Sequence, residues 1–494
     1  MNGSMIRYVL SHIVRIEGLL LFLPCLVALI YREQQGGIYA GLGLICILLG
    51  SFLGMRRPQN NTFYLKEGCI TTALSWLVLS AIGALPFVIT GEIPDYTNAL
   101  FETISGFTTT GSSILSDVEA LSHTSLFWRS FTHWVGGMGI LVFMLAIIPM
   151  VGGSPINLMR AESPGPEVDK TMPKMRQSAG LLYIIYAVLT LAQIILLVLS
   201  RMPVFDAICL SLGTAGTGGF GILNSSVGSY HVLSQWIITI FMILFGINFN
   251  FYYFLADKKA RKALAMEEVR VYLGIVLLAV LVVTVNILPM TAGFFDALTK
   301  SAFQVGSIIT TTGYSTTDFD LWPKLSQAIL VLLMFIGACA GSTGGGIKVS
   351  RIWILFKSIK KEMHLYLHPR NVEKVYMDRH PVEHDTMRSV NIYLAVYIVI
   401  FLASLLGICA IENTDLVTAF TSVAATFNNI GPGLSLVGPT ANFGWMQPVS
   451  KFILMFDMLA GRLEIWPMLL LFYPRLWRNA IGLRNSYRRM EDGR

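Results

Sequence analysis

The sequence predicts an all-α membrane protein with ten transmembrane helices and four shorter helices that enter the bilayer and turn back. Three observations predict it. Charged residues make up 13% of the 494-residue chain, about half the roughly 25% usual in soluble domains, and the mean hydropathy is +0.63. Apolar runs near twenty residues recur from end to end, the length a helix needs to cross about 30 Å of hydrocarbon. One short pattern, an apolar segment ending in a threonine or asparagine and then glycine, stands four times between such runs.

In order, the first run covers 10–31. It is longer than the apolar centre of a cleaved signal and lacks a convincing small-residue cleavage site, so it reads as a retained span. Runs 38–55 and 70–90 follow, then the short segment 99–107 with Thr108-Thr109-Thr110-Gly111, and the long run 126–151. A charged, Pro-bearing loop at 152–177 leads to the run 181–199, the short segment 204–212 and the run 232–255. Beyond the basic stretch 257–270 come the run 272–288, the short segment 294–309 and an interrupted run at 323–356. The largest hydrophilic excursion, 357–388, precedes the run 391–411, the short segment 416–427, the last run 448–471 and a tail rich in arginine.

Ten full runs place both termini on one side. Threading them puts the basic stretches 56–66, 152–177, 257–270, 357–388 and the tail on that same side, while Glu92, Asp95, Asp117 and Glu119 fall opposite. Cytoplasmic loops carry the excess of Lys and Arg, so both termini are expected in the cytoplasm and all four short segments at the outer face. The net charge of +7 then reports loop lysines and arginines, and no basic patch interleaved with aromatics points to nucleic acid.

Counting back thirteen residues from Gly111, Gly219 and Gly431 reaches Asn98, Asp206 and Thr418, followed by Ala99, Ala207 and Ala419; the frame of Gly313 starts at Lys300. The unit is span, short segment, glycine turn, span, repeated four times after two leading helices. It divides the chain at 1–66, 67–160, 161–265, 266–387 and 388–494. Irregular backbone at membrane depth is tolerated where it lines a water-filled path. Four such turns around an axis can aim carbonyls at a dehydrated cation, with glycine supplying positive φ and the helix C-termini adding negative potential.

Other features stand out. Gly341-Ser342-Thr343-Gly344-Gly345-Gly346 must break any helix through 323–356, either to face a cavity or to pack helices closely. A nucleotide P-loop is excluded, because Ile347 precedes Lys348 and Val349 stands where Ser or Thr is needed. Arg462, a charge within the last run, calls for a water-filled path or a partner; Asp457 and Glu464 are the nearby candidates, but their spacing suits no pair along one helix, so a pair would need another helix. Arg129 and His133 read as supports for the pore segments, and Gly136, Gly137 and Gly139 as close helix contacts. The six cysteines show no CxxC pair and read as small buried hydrophobes, with no disulfide or metal site. His364, His368, His380 and His384 read as a solvated loop rather than a metal site. The sequence carries no catalytic set, so no enzyme is expected.

The four segments FETISGFTTTG, TAGTGGFG, ITTTGYST and FNNIGPG resemble the Trk/Ktr/HKT superfamily of potassium transporters. With RSFTHWVGGMGI, GACAGSTGGGIK and two leading spans, the whole chain looks like the bacterial Trk-H type transmembrane subunit. The resemblance implies channel-like uptake of potassium, with coupled K+ symport with H+ or Na+ as the alternative. It implies a filter at Thr109, Thr110 and Gly111; Thr217, Gly218 and Gly219; Thr311, Thr312 and Gly313; and Asn429, Ile430 and Gly431. It implies a gate made of the loop Gly341, Ser342, Thr343, Gly344, Gly345 and Gly346 together with Arg462. K+ would be the transported ion, with no organic cofactor on this chain. A homodimer in the bacterial inner membrane, bound to a cytosolic NAD- or ATP-binding regulatory subunit of Trk-A type, is implied too. One glycine per turn and unequal quarters predict a permissive filter.

Overall fold

The computed structural model describes residues 2–56, 58, 64–139, 175–371 and 373–474. The end of the run 126–151, most of the loop 152–177 and the arginine-rich tail lie outside the described residues. Six described helical stretches are long and apolar enough to cross a membrane: Gly3–Tyr31, Gln35–Gly54, Leu65–Thr90, Gly180–Leu199, Glu267–Met290 and His384–Ile411.

The chain opens with α1 (Gly3–Leu20) and α2 (Phe22–Tyr31), which form one span, and α3 (Gln35–Gly54) folds back along it. The two legs meet glycine to glycine. A Cβ on Gly18 would stand 2.7 Å from the Gly43 carbonyl, and one on Gly43 would stand 2.8 Å from that of Gly18, the close approach that small residues permit in membranes. Next come α4 (Leu65–Gly83), α5 (Leu85–Thr90), α6 (Tyr96–Phe107) and α7 (His123–Gly137). The second unit holds α8 (Met175–Leu199), α9 (Val204–Gly216), α10 (Val232–Phe245) and α11 (Phe249–Ala256). After α12 (Ala260–Ala265) the third unit has α13 (Glu267–Ile287), α14 (Phe294–Ile309), α15 (Lys324–Ile336) and α16 (Val349–Leu367). The fourth has α17 (His384–Ile411), α18 (Leu416–Phe427), α19 (Pro448–Arg462) and α20 (Trp466–Leu471).

The four short helices α6, α9, α14 and α18 have 12, 13, 16 and 12 residues, too few to cross. Asp95 and Asp415 cap two of them, accepting from the amides of Asn98 and Thr418. The short helices are buried among the long ones, whose outward faces carry exposed aliphatic side chains. On α13, Leu277, Leu281 and Val285 are 64%, 58% and 69% exposed, a helical stripe suited to lipid.

Three expectations need correction. The run 232–255 is two helices bent by 89°. Asn248 starts the second by accepting from the Asn250 amide, and the Phe249 amide is given to Gly341. The last run, 448–471, breaks after Arg462, with Glu464 and Ile465 at φ +58° and +67°. The hydrophilic excursion is structured: α16 continues through Leu367, and strands β1 (Tyr376–Met377) and β2 (His380–Pro381) pair antiparallel. Their turn, Asp378–Arg379, holds positive φ at both residues, which matches the strand twist of a two-residue hairpin.

Candidate functional site

Each short helix ends the same way. Thr109, Thr217, Thr311 and Asn429 take the left-handed conformation, with φ of +55°, +54°, +57° and +56°. Their amides bond three residues back, and the next amide in each copy bonds five back: Thr110 to Ser105, Gly218 to Gly213, Thr312 to Ser307 and Ile430 to Ala425, at 2.8–2.9 Å. This double bond pattern closes many helices, usually with glycine at the left-handed position. Here three β-branched threonines and one asparagine sit there, at a cost of order 1–3 kcal/mol each. The glycine comes two residues later, at φ +83°, +76°, +85° and +105°. The sequence pattern led us to expect glycine alone to supply the positive φ; the structure divides it between glycine and the residue two before.

The four turns close on one another in a ring. A Cβ on Gly111 would be driven into the Gly218 carbonyl, one on Gly219 into that of Thr312, and one on Gly313 into that of Ile430. One on Gly431 would come 2.9 Å from the Thr110 carbonyl, back at the first turn. All twelve residues singled out as filter candidates therefore meet at one place. The Asn429 amide group donates to the Thr110 hydroxyl and the Ser112 hydroxyl to the Gly431 carbonyl, each at 2.9 Å, closing the seam between the fourth and first copies.

Two side chains of α7 brace the first seam. Arg129 donates Nε and Nη2 to Glu102 at 2.9 and 2.7 Å and Nη1 to the Gly221 carbonyl at 3.2 Å, and its guanidinium lies 4.1 Å from the Phe220 ring centre. Glu102 also accepts from Ser113 and from the Ile114 amide. One turn on, His133 bonds the Gly106 carbonyl at 2.8 Å, and its Nε2 accepts from the Phe220 amide at 3.2 Å. The support role expected for Arg129 and His133 matches this geometry. A Cβ on Gly136 would enter the Phe107 carbonyl and one on Gly137 would stand 2.6 Å from Gly216, in line with close helix contact.

The glycine-rich break is longer than Gly341–Gly346, covering 337–348, with positive φ at Gly337, Gly341, Gly346 and Lys348. It hangs from the third and fourth turns. The Gly345 amide donates to the Thr311 hydroxyl at 2.6 Å, and the Gly346 amide to the Asn428 carbonyl at 3.1 Å. Lys348, 2% exposed, donates to the Gly344 carbonyl.

Arg462 sits where α19 ends. It donates to the Thr343 carbonyl of the loop at 2.6 Å and to the Gly136 and Gly137 carbonyls at 2.7 and 2.9 Å. Glu464 pairs with Arg351, and Asp457 accepts from Ser404 at 2.7 Å. Both proposed ion-pair partners of Arg462 are thus engaged elsewhere, while its guanidinium joins the loop to the first unit.

Sequence reasoning passed over Glu102, Glu268 and Lys348. Each is a charge in or beside an apolar run, and that was the available signal, because such charges are retained with a partner. Glu17, Glu67, Glu102, Glu268, Glu412 and Asp457 are all under 9% exposed. Among the described residues no His, Cys, Asp and Glu group could hold a metal ion, and His364 instead bonds Glu373 at 2.7 Å.

A family model for cation transport proteins of TrkH type matches residues 39–479. The chain is 38% identical to the Trk system potassium uptake protein TrkH of Salmonella typhimurium over 482 residues, covering 94% of this chain and 99% of that one. It is 33% identical to the Trk system potassium uptake protein TrkG of Escherichia coli over 495 residues, covering 97% and 100%. The crystal structure of the potassium transporter TrkH from Vibrio parahaemolyticus superposes with a TM-score of 0.86 at 31% identity, over 97% of this chain and 100% of that one.

Proposed function

The chain belongs to the TrkH family of cation transport proteins, and from that premise we propose that it carries potassium into the cell through the ring of four turns. The observation that carries this reading is the ring's closure, each glycine pressed against a carbonyl of the next copy. Left-handed residues at alternate positions turn successive carbonyls to one side of the chain, where they can replace the water of a cation. Thr109, Thr110, Gly111, Thr217, Gly218, Gly219, Thr311, Thr312, Gly313, Asn429, Ile430 and Gly431 supply that backbone. The four quarters differ in sequence, which favours a permissive filter over a strict one.

Control is placed beneath the ring. The loop that includes Gly341–Gly346 sits against two of the four turns and closes the path, and Arg462 adds a positive charge that repels cations while holding the loop. Release of the loop from Thr311 and Arg462 opens the path. The charge pattern of the loops favours ten spans and four re-entrant helices with both termini cytoplasmic, and the family points to the inner membrane. A second copy of the chain and a cytosolic nucleotide-binding subunit are the partners this reading calls for, with the basic cytoplasmic stretches as docking surface.

Flux of K+, Rb+ and Na+ into proteoliposomes of the purified chain, with and without a proton gradient, tests the reading. Flux down the cation gradient alone is expected. Flux that requires the proton or sodium gradient would replace passive conduction with coupled symport, and no cation flux in any arm would end the pore reading.

A further inference from the structure

Glu267 and Glu268 open α13. Consecutive residues on a helix point about 100° apart, and these two carboxylates part accordingly. Glu268 turns inward and is 4% exposed. Its Oε1 accepts from the amides of Ala340 at 2.6 Å and Ser350 at 3.2 Å, which stand on either side of Gly341–Gly346, the core of the loop. Its Oε2 accepts from Asn248 at 3.3 Å, beside the bend where the Phe249 amide meets the Gly341 carbonyl. Ser350 lies in the first turn of α16, where amides have no partner within the helix and where a negative charge is favoured. One carboxylate therefore ties the two ends of that core to each other and to the bend between α10 and α11.

Glu267 turns to the hairpin. Its Oε1 accepts from Trp353 at 2.8 Å and pairs with Lys357 at 2.5 Å. Its Oε2 accepts from the Asp378 amide at 3.3 Å, while Asp378 Oδ1 accepts from the Glu267 amide at 2.6 Å. Lys357 also donates to the Tyr376 carbonyl at 2.7 Å. Val375, Met377 and Val382 pack with Ile354 of α16, so the hairpin and that helix form one block. The tip of the block, Asp378 and Arg379, is exposed.

We infer that Glu268 is the positioning residue that clamps the glycine loop, and that Glu267 passes displacement of the exposed hairpin to that clamp. A load on the hairpin tip pulls on the start of α13, and through it on the two amides that bound the core of the loop. The effect on ion flow rests on the reading of the loop as the gate; the clamp itself does not.

Hydrogen–deuterium exchange of the full chain in lipid nanodiscs, followed by mass spectrometry, tests both parts. Loss of a charged acceptor for two amides is expected to speed exchange in peptides covering 338–350 about tenfold in Glu268→Ala. Glu268→Gln keeps an oxygen for both amides and is expected to stay near the parent, which a role resting on charge alone would not predict. Glu268→Asp, one methylene short, serves if Glu268→Ala does not fold. Asp378→Ala, at the exposed tip, is expected to speed exchange at 338–350 as well as at the hairpin. Unchanged exchange at 338–350 in Glu268→Ala and Glu268→Asp overturns the clamp; a change confined to the hairpin in Asp378→Ala overturns the relay. Rb+ flux measured on the same variants separates the readings. Faster exchange with unaltered flux leaves the clamp standing and removes the loop as gate.

Discussion

The Gly345 amide and the Thr311 hydroxyl lie 2.6 Å apart as donor and acceptor, so a residue of the ring holds the loop beneath it. Thr311→Val keeps the shape and the β-branching, and leaves the strain at φ +57° unchanged while removing the acceptor. The loop then loses a neutral hydrogen bond worth about 1 kcal/mol. Rb+ flux into proteoliposomes is expected to rise about fivefold in Thr311→Val and to stay near the parent in Thr311→Ser. Equal flux in all three proteins would detach the loop's position from this contact.

Gly313 is held at φ +85° and faces the Ile430 carbonyl. Gly313→Ala adds a Cβ with no room and forces an L side chain into a left-handed turn. Potassium uptake is expected to fall at least a hundredfold. Gly274, on the exposed flank of α13, is the control, because a methyl group added there would meet nothing within 4 Å. Gly274→Ala should leave uptake intact and add slightly to helix stability. Uptake that survives Gly313→Ala would separate transport from the ring.

Arg462 bridges Thr343 of the loop and the Gly136 and Gly137 carbonyls. Arg462→Ala removes both the charge and the bridge and is expected to raise flux about tenfold or more. Arg462→Lys keeps the charge but loses the planar fork that reaches three carbonyls, so flux between the two is expected. Lower flux in Arg462→Ala would make the arginine a support for the pore rather than a barrier.

The short helices were legible because their sequence signal is local and repeated. The segments 294–309 and 416–427 coincide with α14 and α18; the glycine register located the four turns, and the family resemblance named the twelve residues in them. The break in the run 232–255 was not legible, since no proline stands at it, and the signal at the break in 448–471, Pro467 in the first turn of α20, was passed over. Both breaks have distant partners: Gly341 takes the Phe249 amide, and Arg351 takes Glu464 beside Ile465 at positive φ. The hairpin at 376–381 was hidden for a related reason. Asp378-Arg379 is a poor turn signal, and its partner Glu267 is 111 residues away.

The brace at the first seam predicts a cost in stability. Arg129 and Glu102 have 2% and 0% of their side chains exposed, and Glu102 also serves Ser113 and Ile114. Arg129→Met leaves a buried carboxylate without its cation, an effect of about 3–5 kcal/mol, and is expected to lower the melting temperature in detergent sharply. The double variant Arg129→Met with Glu102→Gln should recover part of that loss. Additive losses would indicate that the two side chains act independently.

The connection between the two legs of the leading hairpin predicts a pH dependence. Partial burial works to raise the Glu33 carboxyl, but the Thr124 hydroxyl, the Thr124 and His123 amides and the His123 ring outweigh it and hold it below the usual carboxylate range. Those contacts are 2.6–3.0 Å long, and Tyr31 stacks on the His123 ring at 3.9 Å, so Glu33 fastens the leading hairpin to the start of α7. A carboxyl whose value is lower when folded than when unfolded stabilises fully above the unfolded value, about 4.3. That contribution is lost as the pH falls through the lower, folded value. Glu33→Gln is therefore expected to melt below the parent in detergent at pH 7, with the gap narrowing as the pH drops below about 4. A gap that stays constant across that range would assign the contacts to shape and not to charge.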